Sequence, residues 1–241
     1  MMASVLSYAL FESLFTTGAY GKNIRPILQH WAIGLNTYCA DLRKQNLSLT
    51  EWQDQVENLF RQVDMQEVLR FIEFDKLTRG FSFPDLGVHT KYVNFPRLEG
   101  LPEKTVFIKK IFGMRKGRAI IPHGHSNMCS AHLILRGEMR LRHYDKIRHD
   151  GNHLIIRPTL NQVVQAGDCS SISDARDNVH WFIANSETAF TFDVIMLDLT
   201  GKKYEIHNLD INAQETVSGD LLRVPILDVE TAMKKYGKDA L

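Results

Sequence analysis

Two histidines stand one residue apart in Gly117-Arg-Ala-Ile-Ile-Pro-His123-Gly-His125-Ser-Asn-Met128. On a strand, side chains alternate between faces, so the imidazoles of His123 and His125 leave the same face. A single inward-facing histidine is more often a satisfied core residue. A pair at this spacing, following Pro122 and beside the polar Ser126-Asn127, is better explained as metal ligands. Neutral imidazole suits divalent iron, nickel, copper or zinc. A third ligand must come from another strand. His180 begins an apolar run, His180-Trp-Phe-Ile183, after the polar turn Asp177-Asn178, and is the best candidate. His143, His149 and His153 surround a Lys/Arg/Asp-rich hairpin and read as solvated. His207 lies in a polar segment, His30 in a helical region and His89 in an irregular connection.

The elements that must position these residues have two textures. From residue 2 to about 79 the pattern is helical: Ile24, Ile27, Leu28, Trp31, Leu35 and Tyr38 recur at spacings of three and four, forming one stripe. Ser48 with Glu51, and Asp64 with Glu67, read as capping boxes. After Gly80-Phe-Ser-Phe-Pro84 the helical period disappears. Short β-rich runs follow to about residue 200: KTVFIKKIF, RAIIP, AHLILR, EMRLRHYD, NHLIIRP, NQVVQ, HWFIAN and AFTFDVIMLDL, punctuated by Gly113, Gly117, Gly137, Gly151 and Gly167. Many short strands with Gly or Asp turns predict an antiparallel sandwich or barrel. The expected organisation is a helical region over 1–79, serving as a cap, a dimerisation element or a barrel flank. A mainly β domain follows over 80–241, with a mixed extension after 200 and a short final helix in VETAMKKYGKDAL.

The bulk numbers narrow the function classes. The 241-residue chain is 44% hydrophobic and 24% charged with a formal net charge of +1, so no global field favours nucleic acid or an anionic membrane. Cys39, Cys129 and Cys169 are widely separated, with no CxxC pair, which argues against a disulfide scaffold or a thiolate zinc site. The opening MMASVLSYALFESLFTTGAY is interrupted by Glu12 and lacks a basic leader. It reads as an amphipathic helix, not a signal peptide. No apolar run is long enough for a membrane span. A reducing, cytoplasmic setting is expected.

The spacing Gly117, five residues, His123-x-His125, then Gly137 resembles the first motif of the cupin superfamily. That motif usually carries a Glu at the position occupied here by Ser130. The second cupin motif is represented by Gly167, His180 and a displaced Asn185; its Pro and second Gly are absent. Loss of the Glu with three histidines retained is similar to the thiol dioxygenases, whose non-haem iron(II) is held by three histidines. His123-Gly-His-Ser-Asn-Met128 resembles the His-x-His-Pro-Gly-Met stretch of the cysteamine and plant cysteine dioxygenase group. DNVHWFIANSETAFTFDVI resembles that group's Asp-Asn-x-His segment, which places Asp193 on the family's buried acid. The Pro-Pro-Tyr run that follows in that group is replaced by Met196-Leu-Asp-Leu199. The likeness covers roughly residues 104–198. It implies a cupin double-stranded β-helix, a jelly-roll barrel preceded by helices. It also implies a divalent metal, foremost iron(II) with zinc, nickel or manganese as alternatives, and a homodimer.

Three neutral imidazoles leave a metal at charge +2 with open positions for a bidentate substrate and dioxygen. Ser130 in place of a carboxylate therefore biases the site towards anionic substrates. His132 shares the face of Ser130 and reads as a fourth ligand, a substrate partner, an orienting group or a satisfied core histidine. Asp193, between Phe192 and Val194, is either a structural hydrogen-bond hub or an acid/base group. Met128 and Cys129 are candidate pocket residues. Arg118 and Arg136 are candidate carboxylate forks, although Arg beside turns is usually solvated. Tyr92 and Trp181 either close the cavity or pack the core. Three functions fit: an iron(II) dioxygenase acting on a small molecule such as a thiol, a Lewis-acid isomerase or lyase, or a non-catalytic metal-binding sensor or storage-type cupin whose helical N-terminus contacts a protein partner.

Overall fold

The computed structural model describes residues 24–238. The amphipathic helix expected over residues 2–20 lies outside them, as does the end of the expected final helix, residues 239–241. The described helical region comprises α1 (Ile24–Arg43), α2 (Leu49–Arg61), α3 (Met65–Phe71) and α4 (Phe74–Thr78). α2 opens on a full capping box, in which Ser48 Oγ accepts from the Glu51 N–H and Glu51 Oε2 accepts from the Ser48 N–H. At α3 only half of the expected box forms. Asp64 Oδ1 accepts from the Glu67 N–H, whereas the Glu67 carboxylate pairs with Arg70 at 2.7 Å.

Twelve strands follow: β1 (His89–Tyr92), β2 (Ile108–Arg115), β3 (Ala119–Ser126), β4 (Met128–Arg136), β5 (Glu138–His149), β6 (His153–Gln165), β7 (Cys169–Ile172), β8 (Val179–Ala184), β9 (Thr188–Leu197), β10 (Glu205–Leu209), β11 (Glu215–Ser218) and β12 (Leu221–Leu227). One sheet has the order β1-β2-β9-β4-β7 and the other β10-β3-β8-β5-β6-β12-β11, with antiparallel pairings. The eight consecutive strands β2 to β9 thus divide between two four-stranded sheets, β2-β9-β4-β7 and β3-β8-β5-β6, crossing from one to the other at every step except the β5–β6 hairpin. This is the double Greek key of a jelly roll. The protein has the jelly-roll barrel fold expected from its sequence.

Period-two alternation decides what each strand offers to which side. On β4 and β9, Cys129, Ala131, Leu133, Phe192, Val194 and Met196 face outward, where they form one continuous hydrophobic core with Leu28, Trp31, Leu35, Trp52, Val56 and Phe60 of the helices. Trp31 lies 5.8 Å from Phe192, centroid to centroid. The helical region is therefore a flank of the barrel, bound to its first sheet. Met128, Ser130, His132 and Asp193 take the opposite parity and face inward. At one end the interior is filled by Met114, Ile134, Met139, Leu141, Phe182 and Ala189; the other end stays open.

The outer face of the second sheet is covered by the last part of the chain. α5 (Val229–Tyr236), capped by Asp228 through the Thr231 N–H, brings Tyr236 edge-on to Trp181 at 5.3 Å. The segment after 200, read as mixed, supplies β10, β11, β12 and this expected final helix. NHLIIRP and NQVVQ, read as two strands, are the single thirteen-residue β6, because a bulge at Thr159 beside Pro158 on β6 and another at Ile147 on β5 absorb the misfit.

Candidate metal centre

β3 and β8 pair with an extra residue on β3: Ile120 is opposite Phe182 and His123 is opposite His180. The residues Ile121 and Pro122 between them form a bulge, where a proline costs no ladder bond. The bulge reverses the parity of β3. Ile120 points into the barrel before it, and His123 and His125 point into the barrel after it. Gly124, between them, packs against β8 so closely that a Cβ would lie 2.9 Å from Val179 Cγ2 and 3.1 Å from Asn178 Oδ1. A side chain there would push the two histidines off the neighbouring strand.

His180 Nε2 is 3.0 Å from His123 Nε2 and 3.4 Å from His125 Nε2. Nitrogens each about 2.1 Å from a common ion, at tetrahedral or octahedral angles, lie roughly 3.0–3.4 Å apart. The ligating nitrogens of all three lie within 4.8 Å of one another, and among the described residues this is the cluster able to hold a metal ion. His123 Nδ1 donates to the Ile121 carbonyl in the bulge at 2.6 Å, which fixes its tautomer and leaves a lone pair on Nε2. His125 and His180 are 3% and 4% exposed; His123 is partly exposed. Desolvation holds all three imidazoles below their ordinary pKa, His123 at about 4, so they are neutral ligands at neutral pH. The donor set, tautomer and spacing fit a divalent metal.

The carboxylate position of the motif holds Ser130, whose buried Oγ has no hydrogen-bond partner. Beside it, His132 Nδ1 lies 3.4 Å from Ser170 Oγ and its Nε2 3.7 Å from Asp193 Oδ2. The ring centroid of His132 is 5.0 Å from that of His180, but its nitrogens face Ser170 and Asp193 rather than the three-nitrogen cluster. Thr191 Oγ1 donates to Asp193 Oδ1 at 2.6 Å. Burial raises the Asp193 carboxyl to about 8 despite opposition from Thr191 and Lys110, and lowers His132 to about 3. At neutral pH the pair is therefore a protonated acid beside a neutral imidazole, with both groups on the cavity wall.

A cavity of about 580 Å³ opens over these groups. Met128 lines it, whereas Cys129 points outward into the helical core. Tyr92 stands 67% exposed on the edge strand, its ring 4.7 Å from the Lys110 ammonium. Trp181 packs under Tyr236 on the outer face. Arg118 does not line the cavity, and Arg136 lies outside it over the Phe74 ring.

Two groups carry roles that the sequence reading did not give them. His143, read as solvated, is 2% exposed: it continues the inward row Met139, Leu141, His143 on β5 and sits directly opposite His180 of β8. Its Nδ1 is 3.8 Å from Asp177 Oδ1, and its Nε2 has no partner. Asn178, 1% exposed, bonds the backbone of His125 on both sides. The strand alternation of β5 was a legible signal for His143; for Asn178 a polar residue within a turn-like stretch gave none.

No protein-family model matches the chain, and no curated protein matches it. Solved structures do. The pumpkin seed globulin is 15% identical with a TM-score of 0.37, over 52% of this chain and 29% of that one. Procruciferin, the 11S globulin of Brassica napus, is 15% identical with a TM-score of 0.35, over 52% and 28%. The vicilin of Capsicum annuum is 10% identical with a TM-score of 0.33, over 42% and 25%. This chain thus spans less than a third of the length of each, and the barrel itself rests on its own strand order. Among the described residues no helix is long and apolar enough to cross a membrane.

Proposed function

We propose that the protein is a metal-dependent cupin oxidoreductase, a non-haem iron(II) dioxygenase of the three-histidine type acting on a small molecule with a thiol or similar anionic head. The observation that carries this reading is the convergence of His123, His125 and His180 at coordination spacing, at the floor of a cavity and with no carboxylate among them. An iron(II) ion held there supplies coordination positions and redox capacity for dioxygen and an anionic donor. The chain does the rest. Ser130 adds no charge, so the ion's full +2 acts on the incoming anion. Apolar walls exclude water, which strengthens that attraction. Asp193 carries a proton at neutral pH and faces the cavity, which supports a role as the group that gives or takes a substrate proton, with His132 and Thr191 holding its carboxyl in place.

The test is anaerobic reconstitution with iron(II), then oxygen uptake with a panel of thiols, alongside elemental analysis of the purified protein. Oxygen consumption in proportion to thiol, abolished by His180→Ala, is the expected result. Turnover of a substrate without oxygen would favour Lewis-acid isomerase or lyase chemistry, and metal retention with no turnover would leave a sensor.

A further inference from the structure

Resting on the metal-centre reading above, we infer that the substrate carries a bulky apolar body, aliphatic or aromatic, behind the head that meets the metal, and is not a small polar amino-thiol. The first observation is space. A cavity of about 580 Å³ lies in the range that holds drug-sized ligands, and a two-carbon amino-thiol would leave most of it empty.

The second is the wall. Above the histidines the lining is Ile108 and Phe112 of β2, Ile195 and Leu197 of β9, Ile206 of β10 and Met233 of α5. These residues come from both sheets and the last helix, so apolar side chains face one another across the space.

The third is the rim. Tyr204, Ile206 and Val229, which also line the cavity, are 41%, 48% and 64% exposed. Large apolar side chains left in water around an opening are what a ligand with an apolar body would cover on entry.

The charged groups point the same way. Among the described residues lining the cavity, Lys110 is the one Lys or Arg and Asp193 the one acid. There is thus no guanidinium fork for an amino-acid carboxylate. Asp193, 3% exposed and with one oxygen bonded to Thr191, is a single acid for a substrate ammonium, with no second carboxylate beside it. An amino-thiol or amino acid would desolvate its charged ends among apolar walls with at most Lys110 and Asp193 to meet them; an apolar body would gain by burial.

Cobalt(II) provides a readout other than turnover, because a thiolate bound to it gives a charge-transfer band. Cobalt-loaded protein is titrated without oxygen with 3-phenylpropane-1-thiol, cysteamine and cysteine. The aryl thiol is expected to half-saturate at a concentration about tenfold or more below either polar thiol. Ile206→Gln, a change at an exposed position, and Leu197→Gln should each weaken the aryl thiol several-fold and leave cysteamine unchanged. Equal or tighter binding of the polar thiols, or no binding of the aryl thiol, overturns the inference while cobalt retention leaves the metal reading standing. In a parallel arm, metal-free protein is titrated calorimetrically with 3-phenylpropionate. Binding there that Ile206→Gln weakens, in a protein that fails to retain cobalt, upholds the apolar cavity and sinks the metal reading.

Discussion

Asn178 holds both backbone groups of His125: its Oδ1 accepts from the His125 N–H at 2.9 Å and its Nδ2 donates towards the His125 carbonyl at 3.0 Å. One side-chain amide thus does for a metal-ligand candidate what a paired strand would do. The same Nδ2 lies within 3.1 Å of the Ser173 carbonyl and 3.0 Å of Asp174 Oδ1, and Lys146 Nζ also donates to the His125 carbonyl. A charged and amide network around the turn before β8 therefore fixes the end of β3.

If that network positions His125, removing the amide should loosen the metal without removing a ligand. Asn178→Ala is expected to lower divalent-metal affinity about tenfold to a hundredfold, the range found when groups that orient ligands are lost. Competition against a chromophoric chelator measures it, with circular dichroism as the check on folding. Wild-type affinity in a folded variant would deny Asn178 a positioning role.

His125→Ala and His180→Ala each leave two imidazoles, too few to hold the ion. Metal that binds only the folded state should stabilise wild-type protein by about 2.7 kcal/mol when supplied at a hundred times its Kd. Thermal unfolding with and without cobalt(II) should show that gain in the wild type and neither variant should show it. A variant that keeps it would place the ion elsewhere.

Gly124 tests the packing that aims the pair. Its missing Cβ would meet Val179 Cγ2 at 2.9 Å and Asn178 Oδ1 at 3.1 Å. Gly124→Ala should cost about 1–3 kcal/mol of stability through overpacking, read from denaturant unfolding, and weaken metal binding as Asn178 is displaced. A variant as stable as the wild type would mean that β8 yields freely.

How much of this was legible before the structure follows from what each signal depends on. The shared face of His123 and His125 could be read from their spacing alone, since parity is local. The bulge at Ile121–Pro122, which makes that parity agree with Ile120, depends on pairing with β8 and left no trace beyond the proline. His143 was masked by the charges of Arg142, Asp145 and Lys146, although Met139 and Leu141 had already set the row it belongs to. Cys129 was misassigned because a neighbour of a pocket residue on a strand points the other way. Of the strands after 200, β10 and β11 carry few apolar residues, and in β12 Arg223 and Pro225 break up an apolar run, so their pattern was too weak to separate from loop. The stripe on α1 was readable as helix, but only the packing of Trp31 on Phe192 reveals what it covers.

Ser130 sets the charge of the centre. Its Oγ is buried and lacks a partner beside the three imidazoles, so Ser130→Glu should add a carboxylate to the donor set. The expected outcome is unchanged or tighter retention of cobalt(II), with thiolate binding weakened about tenfold or more as the ion's net charge falls. The charge-transfer titration reads both. Undiminished thiolate affinity would show that the serine does not tune the site for anions.

Asp193 makes a prediction in pH. Its ordinary value is 3.8 and burial raises it to about 8 in the folded protein. Between those values the native carboxyl keeps its proton while the unfolded one has lost it, so the native state binds more protons and stability falls as pH rises. The contribution is whole below about pH 4, declines across the window by at most about 1.4 kcal/mol per pH unit, and levels off above about pH 8. Asp193→Asn has no proton to lose. In metal-free protein, unfolding free energies of the variant and the wild type at pH 5, 6, 7 and 8 should therefore diverge, with the wild type losing more at each step. The difference between the two cancels every other titrating group that the substitution leaves alone. Parallel curves would mean that Asp193 is ionised in the folded protein at neutral pH, and its role as the proton-bearing group of the cavity would go with them.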